Sequence, residues 1–332
     1  MAFDNTTTTD EVLDGLDLTG RRIVITGAAS GLGFESARAL AAHGAAVTLL
    51  ARSEARIEPA AEALRQLVPD GAFETGAVDL ADLASINAFA DAYLADHAAI
   101  DVLINNAGVM ACPFGHTADG FETQFGTNHL GHFLLTARLA PALYAGEAPR
   151  VVTLSSAGHS RSDVDLDDPN FERTEYTPWI AYGRSKTANA LFARELANRA
   201  GDRGLLSFAV HPGGIMTDLG RHLTDELIAE MASFARARTA TAEAGGGAEP
   251  EAPSGGMGFE FKPVEAGAAT QVWAATSPDL VDHNGAYLAD CGLGVLGANP
   301  GTNGFLPHLL DDERAAALWD LSERLVGTSF PT

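Results

Sequence analysis

An alternation of short apolar runs with longer amphipathic segments constrains the fold of this chain most. The strand candidates are rich in β-branched residues and apolar on both faces, and they are RIVITG (22–27), AVTLLA (46–51), AVDL (77–80), DVLINNAG (101–108), RVVTLSS (150–156) and LLSFAVHPG (205–213). Helical patterns lie between and after them at 32–43, 54–67, 82–97, 117–144 and 179–200. The sequence therefore predicts a doubly wound α/β fold, a parallel sheet with helices on both faces.

Residues 18–332 are predicted to form a single domain of this kind, preceded by an N-terminal extension at 1–17. Further helices are predicted at 223–237, 264–276 and 311–326, and a short strand at 286–288. The stretch 241–258, rich in Gly, Ala, Pro and Glu, is predicted to be a mobile loop. With the helix before it, this loop is expected to form a lid over the substrate, spanning about 218–262.

Charge and cysteine content exclude several classes of function. The net charge is −23, which argues against nucleic acid or an anionic membrane as a partner. Cys112 and Cys291 make neither a disulfide framework nor a zinc cluster, so a cytoplasmic location is expected. No signal peptide and no membrane span are predicted. His129 and His132 have no carboxylate or cysteine at ligand spacing, so no metal is predicted.

A glycine-rich loop, TGAASGLG (26–33), follows the first predicted strand and opens the first predicted helix. Gly27 permits a tight turn, Gly31 lets backbone amides approach a pyrophosphate, and Gly33 allows close packing of helix on strand. The free N–H groups of the helix N-terminus would face that anion. An ordinary tight turn is the alternative for this GxxxGxG spacing, but its position in the first βα unit favours a dinucleotide site.

The end of the second predicted strand bears on which dinucleotide binds. A carboxylate there would accept hydrogen bonds from the adenosine ribose, whereas this chain has Ala51 followed by Arg52. The cation favours NADP(H) over NAD(H), which the sequence does not exclude; the alternative is a solvated surface arginine. Asp79 could meet the adenine edge, or it could cap the helix predicted from residue 82.

Tyr182 and Lys186 lie one helical turn apart in a predicted helix, so they share a face. Lys186 is unusual, because 21 side chains are basic and the only other lysine is Lys262. A nearby ammonium would favour the phenolate and lower the tyrosine pKa from about 10. Its compact charge also suits ribose hydroxyls better than a guanidinium does. The pair predicts acid/base catalysis, with a Tyr–Lys pair on a helix surface as the alternative.

Together the motifs resemble the short-chain dehydrogenase/reductase family, and within it the retinol-dehydrogenase-like branch, from about residue 18 to residue 290. The motifs that carry the resemblance, in family order, are TGAASGLG, NNAG (105–108), NHLGHF (128–133), TLSSAGH (153–159), YGRSK (182–186) and HPGGIMT (211–217).

The resemblance implies four catalytic residues. Tyr182 would exchange a proton with the substrate oxygen, and Ser156 would hydrogen-bond that oxygen. Lys186 would hold the nicotinamide ribose and lower the Tyr182 pKa, while Asn128 would order a water that links Lys186 to solvent. Two hydroxyl donors at one oxygen would stabilise the alkoxide character that hydride transfer builds. The implied cofactor contacts are Gly27, Ser30, Gly31, Leu32, Gly33, Arg52, Asp79, Leu80, Asn105, Ala107, Gly108, Tyr182, Lys186, Pro212, Gly213 and Thr217.

The resemblance also implies a reaction that interconverts an alcohol and a ketone or aldehyde of a small apolar substrate, in an enzyme that can be a homo-oligomer. Two alternatives stay open: reduction of a C=C bond on the same scaffold, and a non-catalytic NADP(H)-binding regulatory module. The segment 163–179 is expected to border the substrate. The residues expected to line it, unless they pack within the helix core, are Met110, Met216, Leu219, Leu227 and Met231.

Overall fold

One eight-stranded sheet forms the centre of the chain. Its strands are β1 (Arg22–Thr26), β2 (Ala46–Ala51), β3 (Ala72–Ala77), β4 (Val102–Asn105), β5 (Arg150–Leu154), β6 (Leu206–His211), β7 (Tyr287–Ala289) and β8 (Gly292–Leu293). Their order is β3-β2-β1-β4-β5-β6-β7-β8, and only the last pair is antiparallel. Two short strands, β9 (Val295–Leu296) and β10 (Gly304–Phe305), pair separately. The computed structural model describes residues 3–244 and 261–331, with only the main chain at 235 and 237–244.

The helices in chain order are α1 (Thr9–Leu13), α2 (Gly31–Ala42), α3 (Glu54–Leu67), α4 (Leu83–Asp96), α5 (Thr123–Phe125), α6 (Gly131–Tyr144), α7 (Pro178–Ala200), α8 (Asp225–Ala244), α9 (Val264–Thr276) and α10 (Asp312–Val326). A π-helical segment, Gly126–Leu130, joins α5 to α6. The 3₁₀ turns are Ala157–Arg161, Gly201–Arg203, Asp218–His222, Pro278–His283 and Pro307–Leu310.

Two hydrophobic layers cover the sheet. Alternate strand residues point to opposite faces, so that Val24 and Leu103 pack with α4, α6, α7 and α10 in one layer. Ile23 and Ile25 pack with α1, α2, α3 and α9 in the other layer. The predicted doubly wound α/β fold is thereby confirmed. Strand order reverses direction between β1 and β4, which opens a crevice at the carboxyl ends of the strands.

Two elements lie at other positions than the sequence predicts. The third strand was expected at 77–80 but lies at Ala72–Ala77, on the edge of the sheet. Its burial alternates, so AFETGA carries no continuous apolar run to mark it. The helix expected from 117 begins only at Thr123, because Thr117 N–H donates to the Phe121 carbonyl at 2.8 Å in a turn. Glu122 then caps the first amides of α5.

The segments at either end of the predicted domain also take part in the fold. Within the predicted extension, α1 begins with a capping box at Thr8 and packs against α9, burying Val12 and Leu13. Helix α8 continues to Ala244, past its predicted end at 237. The remainder of the predicted mobile loop, 245–258, lies outside the described residues. In the part of the chain that the structure describes, no helix is both long and apolar enough to cross a membrane.

Candidate active site

Helix α7 places Tyr182 and Lys186 at the carboxyl edge of the sheet. Pro178 starts this helix, and the Thr177 hydroxyl accepts from the Ile180 amide to cap it. Tyr182 is only 4% exposed, and the Lys186 Nζ lies 5.7 Å from the centre of its ring. The ammonium donates to the Leu154 carbonyl at 2.9 Å, which fixes it at the end of β5. The expected pair is therefore brought together on one helix face.

Ser156 adjoins Tyr182 through the turn that follows β5. Its hydroxyl accepts from the Gly158 amide at 3.0 Å, which orients the serine at the start of the 3₁₀ turn. A Cβ on Gly158 would lie 2.7 Å from the Tyr182 Cε1 and 3.4 Å from the Ser156 Oγ. Only glycine at position 158 therefore lets the Tyr182 ring and the Ser156 side chain come this close together.

Asn128 lies in the π-helical segment and is fully buried. Its amide exchanges two hydrogen bonds with the main chain of Val109, at 2.8 and 2.9 Å, and donates a third to the Ser185 hydroxyl at 2.9 Å. Both amide protons are thus used, and one lone pair of Oδ1 remains for a water. The water that Asn128 was expected to order stays a prediction. What the structure shows is that Asn128 holds the loop after β4 against α7.

Burial acts on both ionisable groups of the site. It raises the pKa of Tyr182 to about 12, and the hydrogen bond with Ser156 opposes this rise. Burial also lowers the pKa of Lys186 to about 7. The net shift of the Tyr182 pKa is therefore opposite to the lowering expected from Lys186, because desolvation disfavours the charged phenolate. At neutral pH the Tyr182 hydroxyl is protonated and is a proton donor.

The glycine-rich loop forms a cradle next to this site. Gly27 has φ +68°, and a Cβ there would lie 2.9 Å from the Ala107 Cα. A Cβ on Gly33 would come within 2.5 Å of the Gly27 carbonyl oxygen, so α2 packs closely on the loop. Gly31, at φ +56°, faces the Thr217 methyl group. Ser30 is exposed and makes no side-chain cap to the first amides of α2. Half-buried Leu32 follows within the same turn.

The residues expected near the adenosine end lie beyond β2 and β3. Arg52 is exposed at the end of β2. Asp79 is half-buried and accepts from the Ala81 amide at 2.9 Å. The alternative that Asp79 caps the next helix is wrong, since Asp82 accepts from the Ala84 and Ser85 amides. Leu80 is buried, with its carbonyl against Gly131 of α6.

Two further loops complete the carboxyl edge. A Cβ on Gly108 would lie 3.2 Å from the Asn128 Oδ1 and 3.8 Å from the Lys186 Nζ, so Gly108 borders the catalytic candidates. Asn105 is fully buried instead, and its amide donates to Thr136 and Thr153 at 3.1 and 3.4 Å. The Asn105 side chain thus joins β4 to α6 and β5, and its contact with the cofactor stays a prediction.

After β6, half-buried Pro212 leads into a turn at Gly213, whose φ is +97°. A Cβ on Gly213 would lie 2.9 Å from the Lys262 Cε. Lys262 pairs with Asp290, so this second lysine ties the loop to the end of β7. Thr217 then caps the turn Asp218–His222 through its hydroxyl.

An apolar cluster covers Tyr182. Its buried members are Ala111, Trp179 and Tyr182, and Met110, Leu223, Leu227 and Met231 pack against them. Of the residues expected here, Met216 is 73% exposed and Leu219 is not part of the cluster. Trp179 ends the segment 163–179 that was expected to border the substrate, and its ring meets the Tyr182 ring edge-on at 6.2 Å. Its position one turn before Tyr182 on the same helix face accounts for this contact.

The two histidines considered as ligands are core residues with protein partners. The His129 Nε2 bonds the Ser322 hydroxyl at 2.8 Å, and the His132 Nε2 bonds the Thr26 hydroxyl at 2.9 Å. Burial lowers the pKa of His129 to about 3 and that of His132 to about 4. Within 3–244 and 261–331, no group of three His, Cys, Asp or Glu residues is placed to hold a metal ion.

Comparisons with known proteins agree with this geometry. The family model for short chain dehydrogenases matches residues 21–227. Retinol dehydrogenase 14 of Mus musculus is 38% identical over 322 residues, covering 93% of this chain and 86% of that protein. The short-chain dehydrogenase/reductase prx1 of Penicillium roqueforti is 37% identical over 312 residues, covering 92% and 85%.

Among solved structures, an uncharacterized protein from Mycobacterium Paratuberculosis matches with a TM-score of 0.71 and 35% identity, covering 97% of this chain and 98% of its own. Family model, relatives and fold coincide over most of the described residues. The chain belongs to the short-chain dehydrogenase/reductase family, in its retinol-dehydrogenase-like branch, and is an NAD(P)(H)-binding oxidoreductase.

Proposed function

We propose that this enzyme interconverts an alcohol and a ketone or aldehyde of an apolar substrate, with NADP(H) as the preferred cofactor. The observation that carries the proposal is the convergence of Tyr182, Ser156 and Lys186 beneath an apolar cluster. Two adjoining hydroxyl groups suit a carbonyl oxygen, which accepts both hydrogen bonds as negative charge develops on it. A C=C bond offers no such acceptor, and a regulatory module has no need of the arrangement.

In the reduction direction, Tyr182 donates a proton to the substrate oxygen. Its hydroxyl is protonated at neutral pH because burial raises the pKa to about 12. Ser156 donates a second hydrogen bond to the same oxygen and so limits the negative charge that Tyr182 must neutralise. Lys186 supplies a positive charge 5.7 Å from the tyrosine ring, which favours the phenolate left by proton transfer. The bound nicotinamide cofactor supplies or accepts the hydride.

The loop after β1 fits the pyrophosphate of such a cofactor. Added Cβ atoms at Gly27 and Gly33 would collide with neighbouring main chain, so these glycines let loop and helix approach each other closely. Ser30 leaves the first amides of α2 without a side-chain acceptor, and an anion can take that place. Arg52 stands exposed where a 2′-phosphate would need a cation in a chain of net charge −23.

The substrate side of the site is apolar. Met110, Leu227 and Met231 pack over Ala111 and Tyr182, and flexible methionine side chains adapt to ligands of different shape. We therefore infer a hydrophobic alcohol or carbonyl compound as substrate. Helix α8 supplies two of these side chains, which supports the proposed lid at about 218–262. A cytoplasmic location and a homo-oligomer remain predictions.

The test is a turnover screen of apolar ketones and alcohols with NADPH and NADP⁺, followed by Tyr182→Phe. Removing a positioned general acid is expected to lower kcat by roughly 10²–10⁴-fold, while the Kd of NADP(H) changes little. Tyr144→Phe is the matched control, because Tyr144 ends helix α6 with its ring against Arg203, away from the catalytic residues. Near-normal turnover by Tyr182→Phe would remove Tyr182 from the mechanism.

A further inference from the structure

A small cavity lies at the amino ends of the strands, opposite the active-site edge of the sheet. Its volume is about 70 Å³, well above the roughly 10–15 Å³ that one water requires. Apolar side chains and two arginines line it, including Leu18, Ile23, Val102, Ala275, Arg21 and Arg150. Neither arginine takes part in the catalytic site or the glycine-rich loop.

Arg150 is a buried cation with few protein partners. It is only 5% exposed, and its Nη1 donates to the Ala274 carbonyl at 2.9 Å. That carbonyl belongs to the last turn of α9, where a helix carries only a partial negative charge. No carboxylate of the described residues lies within ion-pair distance of Arg150. A guanidinium has five N–H donors, and the bond to the Ala274 carbonyl uses only one of them.

Arg21, the second arginine that lines the cavity, adds positive charge and does not compensate the charge of Arg150. Burial lowers the pKa of Arg150 to about 10, and the positive charge of Arg21 acts in the same direction. The neighbouring carboxylate, Asp101, lies 3.8 Å from the Arg21 Nε. It already accepts from the Arg22 amide at 2.7 Å and the Glu147 amide at 2.6 Å. Two guanidinium groups and one carboxylate leave one positive charge without a counter-ion.

We infer that this cavity binds a small inorganic monovalent anion, of which chloride is the simplest, between the side chains of Arg21 and Arg150. Burying an unpaired charge is costly, and an anion that bridges both guanidinium groups removes that cost while satisfying their remaining donors. In a chain of net charge −23, weak surface binding of anions is disfavoured, so a chloride effect that depends on both arginines points to a built site.

The test measures thermal unfolding while sodium chloride replaces sodium gluconate at constant ionic strength, so that screening does not change. Chloride is expected to raise the Tm by about 2 °C at ten times its Kd, and above the Kd the Tm should rise with the logarithm of chloride concentration, because chloride binds only the folded chain. Arg150→Met and Arg21→Met should each abolish this rise. Arg65→Met is the matched control, since Arg65 is a half-exposed arginine that pairs with Glu62 on α3, and it should keep the full rise.

Crystals grown with bromide provide a direct readout. An anomalous peak in the cavity beside Arg150 is expected. A parent enzyme whose Tm does not change with chloride at constant ionic strength would overturn the inference. So would a rise that persists in Arg21→Met and Arg150→Met, or bromide density absent from the cavity. If Arg150→Met does not fold, the parent titration, Arg21→Met and the bromide peak still decide the matter.

Discussion

Lys186 is a cation at a place where a cation lowers the stability of the fold. Burial lowers its pKa to about 7, against an unfolded value near 10.5. Below pH 7 the ammonium is charged in both states, so its full desolvation cost opposes folding. The cost declines between pH 7 and about 10.5, where only the unfolded chain is still protonated. Because Lys186 lowers the stability of the folded chain and lies in the active-site cleft, we expect it to serve binding or catalysis.

Lys186→Met is therefore predicted to stabilise the enzyme in the absence of cofactor. The Leu154 carbonyl keeps its bond from Asn189 at 2.9 Å, so no acceptor is stranded by the change. The gain in unfolding free energy should be a few kcal/mol at pH 6 and much smaller at pH 10. Urea unfolding at both pH values measures it. Equal gains at the two values would mean that Lys186 is not desolvated as described.

Arg52 is predicted to set cofactor preference. A hydrogen bond to a charged group contributes about 1.5–3 kcal/mol, so Ala51→Asp with Arg52→Ala should weaken NADP(H) by roughly ten- to a hundredfold and improve NAD(H). The measurement is kcat/KM with each cofactor. Arg65→Ala, on the exposed side of α3, controls for lost surface charge. A parent enzyme that prefers NAD(H) would show that Arg52 is a solvated surface residue.

Among the secondary-structure elements, helix α8 is held across the active site by contacts with residues near Tyr182. The Arg161 guanidinium lies 3.8 Å from the centre of the Phe234 ring and 5.2 Å from that of Trp179. It also contacts Glu230 of α8 at 3.4 Å. The Trp179 Nε1 donates to the Leu227 carbonyl at 3.1 Å. Because Arg161 ends the turn that follows Ser156, these contacts tie α8 to the catalytic segment.

Arg161→Met is predicted to loosen α8 without affecting the cofactor loop. Loss of the cation–π contacts and the ion pair should raise amide exchange over 225–234 by about tenfold, which corresponds to roughly 1.4 kcal/mol. The KM for bulky substrates should change, while the Kd of NADP(H) stays the same. If neither the amide exchange over 225–234 nor the KM changes, Arg161 does not hold this helix in place.

For the whole molecule, buried histidines make the fold sensitive to acid. Burial lowers the pKa of His129 and His211 to about 3 and of His132 to about 4. As pH falls below about 6.5, these histidines bind protons in the unfolded chain but not in the folded chain, so the free energy of unfolding falls. His129 is surrounded by the rings of Phe125, Phe133 and Phe192, which leave no acceptor for a second proton.

His129→Phe is predicted to reduce this acid sensitivity. The Ser322 hydroxyl still donates to the Leu318 carbonyl at 2.7 Å, so the substitution strands no donor. The loss of unfolding free energy between pH 7 and pH 5 should shrink by roughly 2 kcal/mol relative to the parent. Urea titrations at several pH values measure the slope, with His116→Phe on the surface as control. A slope equal to that of the parent would contradict the prediction.

The architecture and the positions of the site motifs could be predicted from sequence because both depend on local order. Strand β1 is a short continuous apolar run and helix α2 an amphipathic segment, and the glycine-rich loop between them needs backbone conformations that few other residues adopt. Tyr182 and Lys186 face the same way because helix geometry alone brings positions one turn apart together. Strand β3 escaped prediction because an edge strand need not be apolar on both faces.

Tertiary structure alone decided what each polar side chain does. Asn105 and Asn128 sit in equally recognisable motifs, yet one joins β4 to α6 and β5 in the core and the other holds a loop beside Lys186. The pKa of Tyr182 was predicted in the wrong direction because a sequence names the neighbouring ammonium but not the depth of burial. Residues far apart in the chain, such as Arg21 and Arg150, share a cavity only once the strands have paired. Desolvation and through-space charge depend on the packed whole, whereas periodicity and turn chemistry depend on neighbours in sequence.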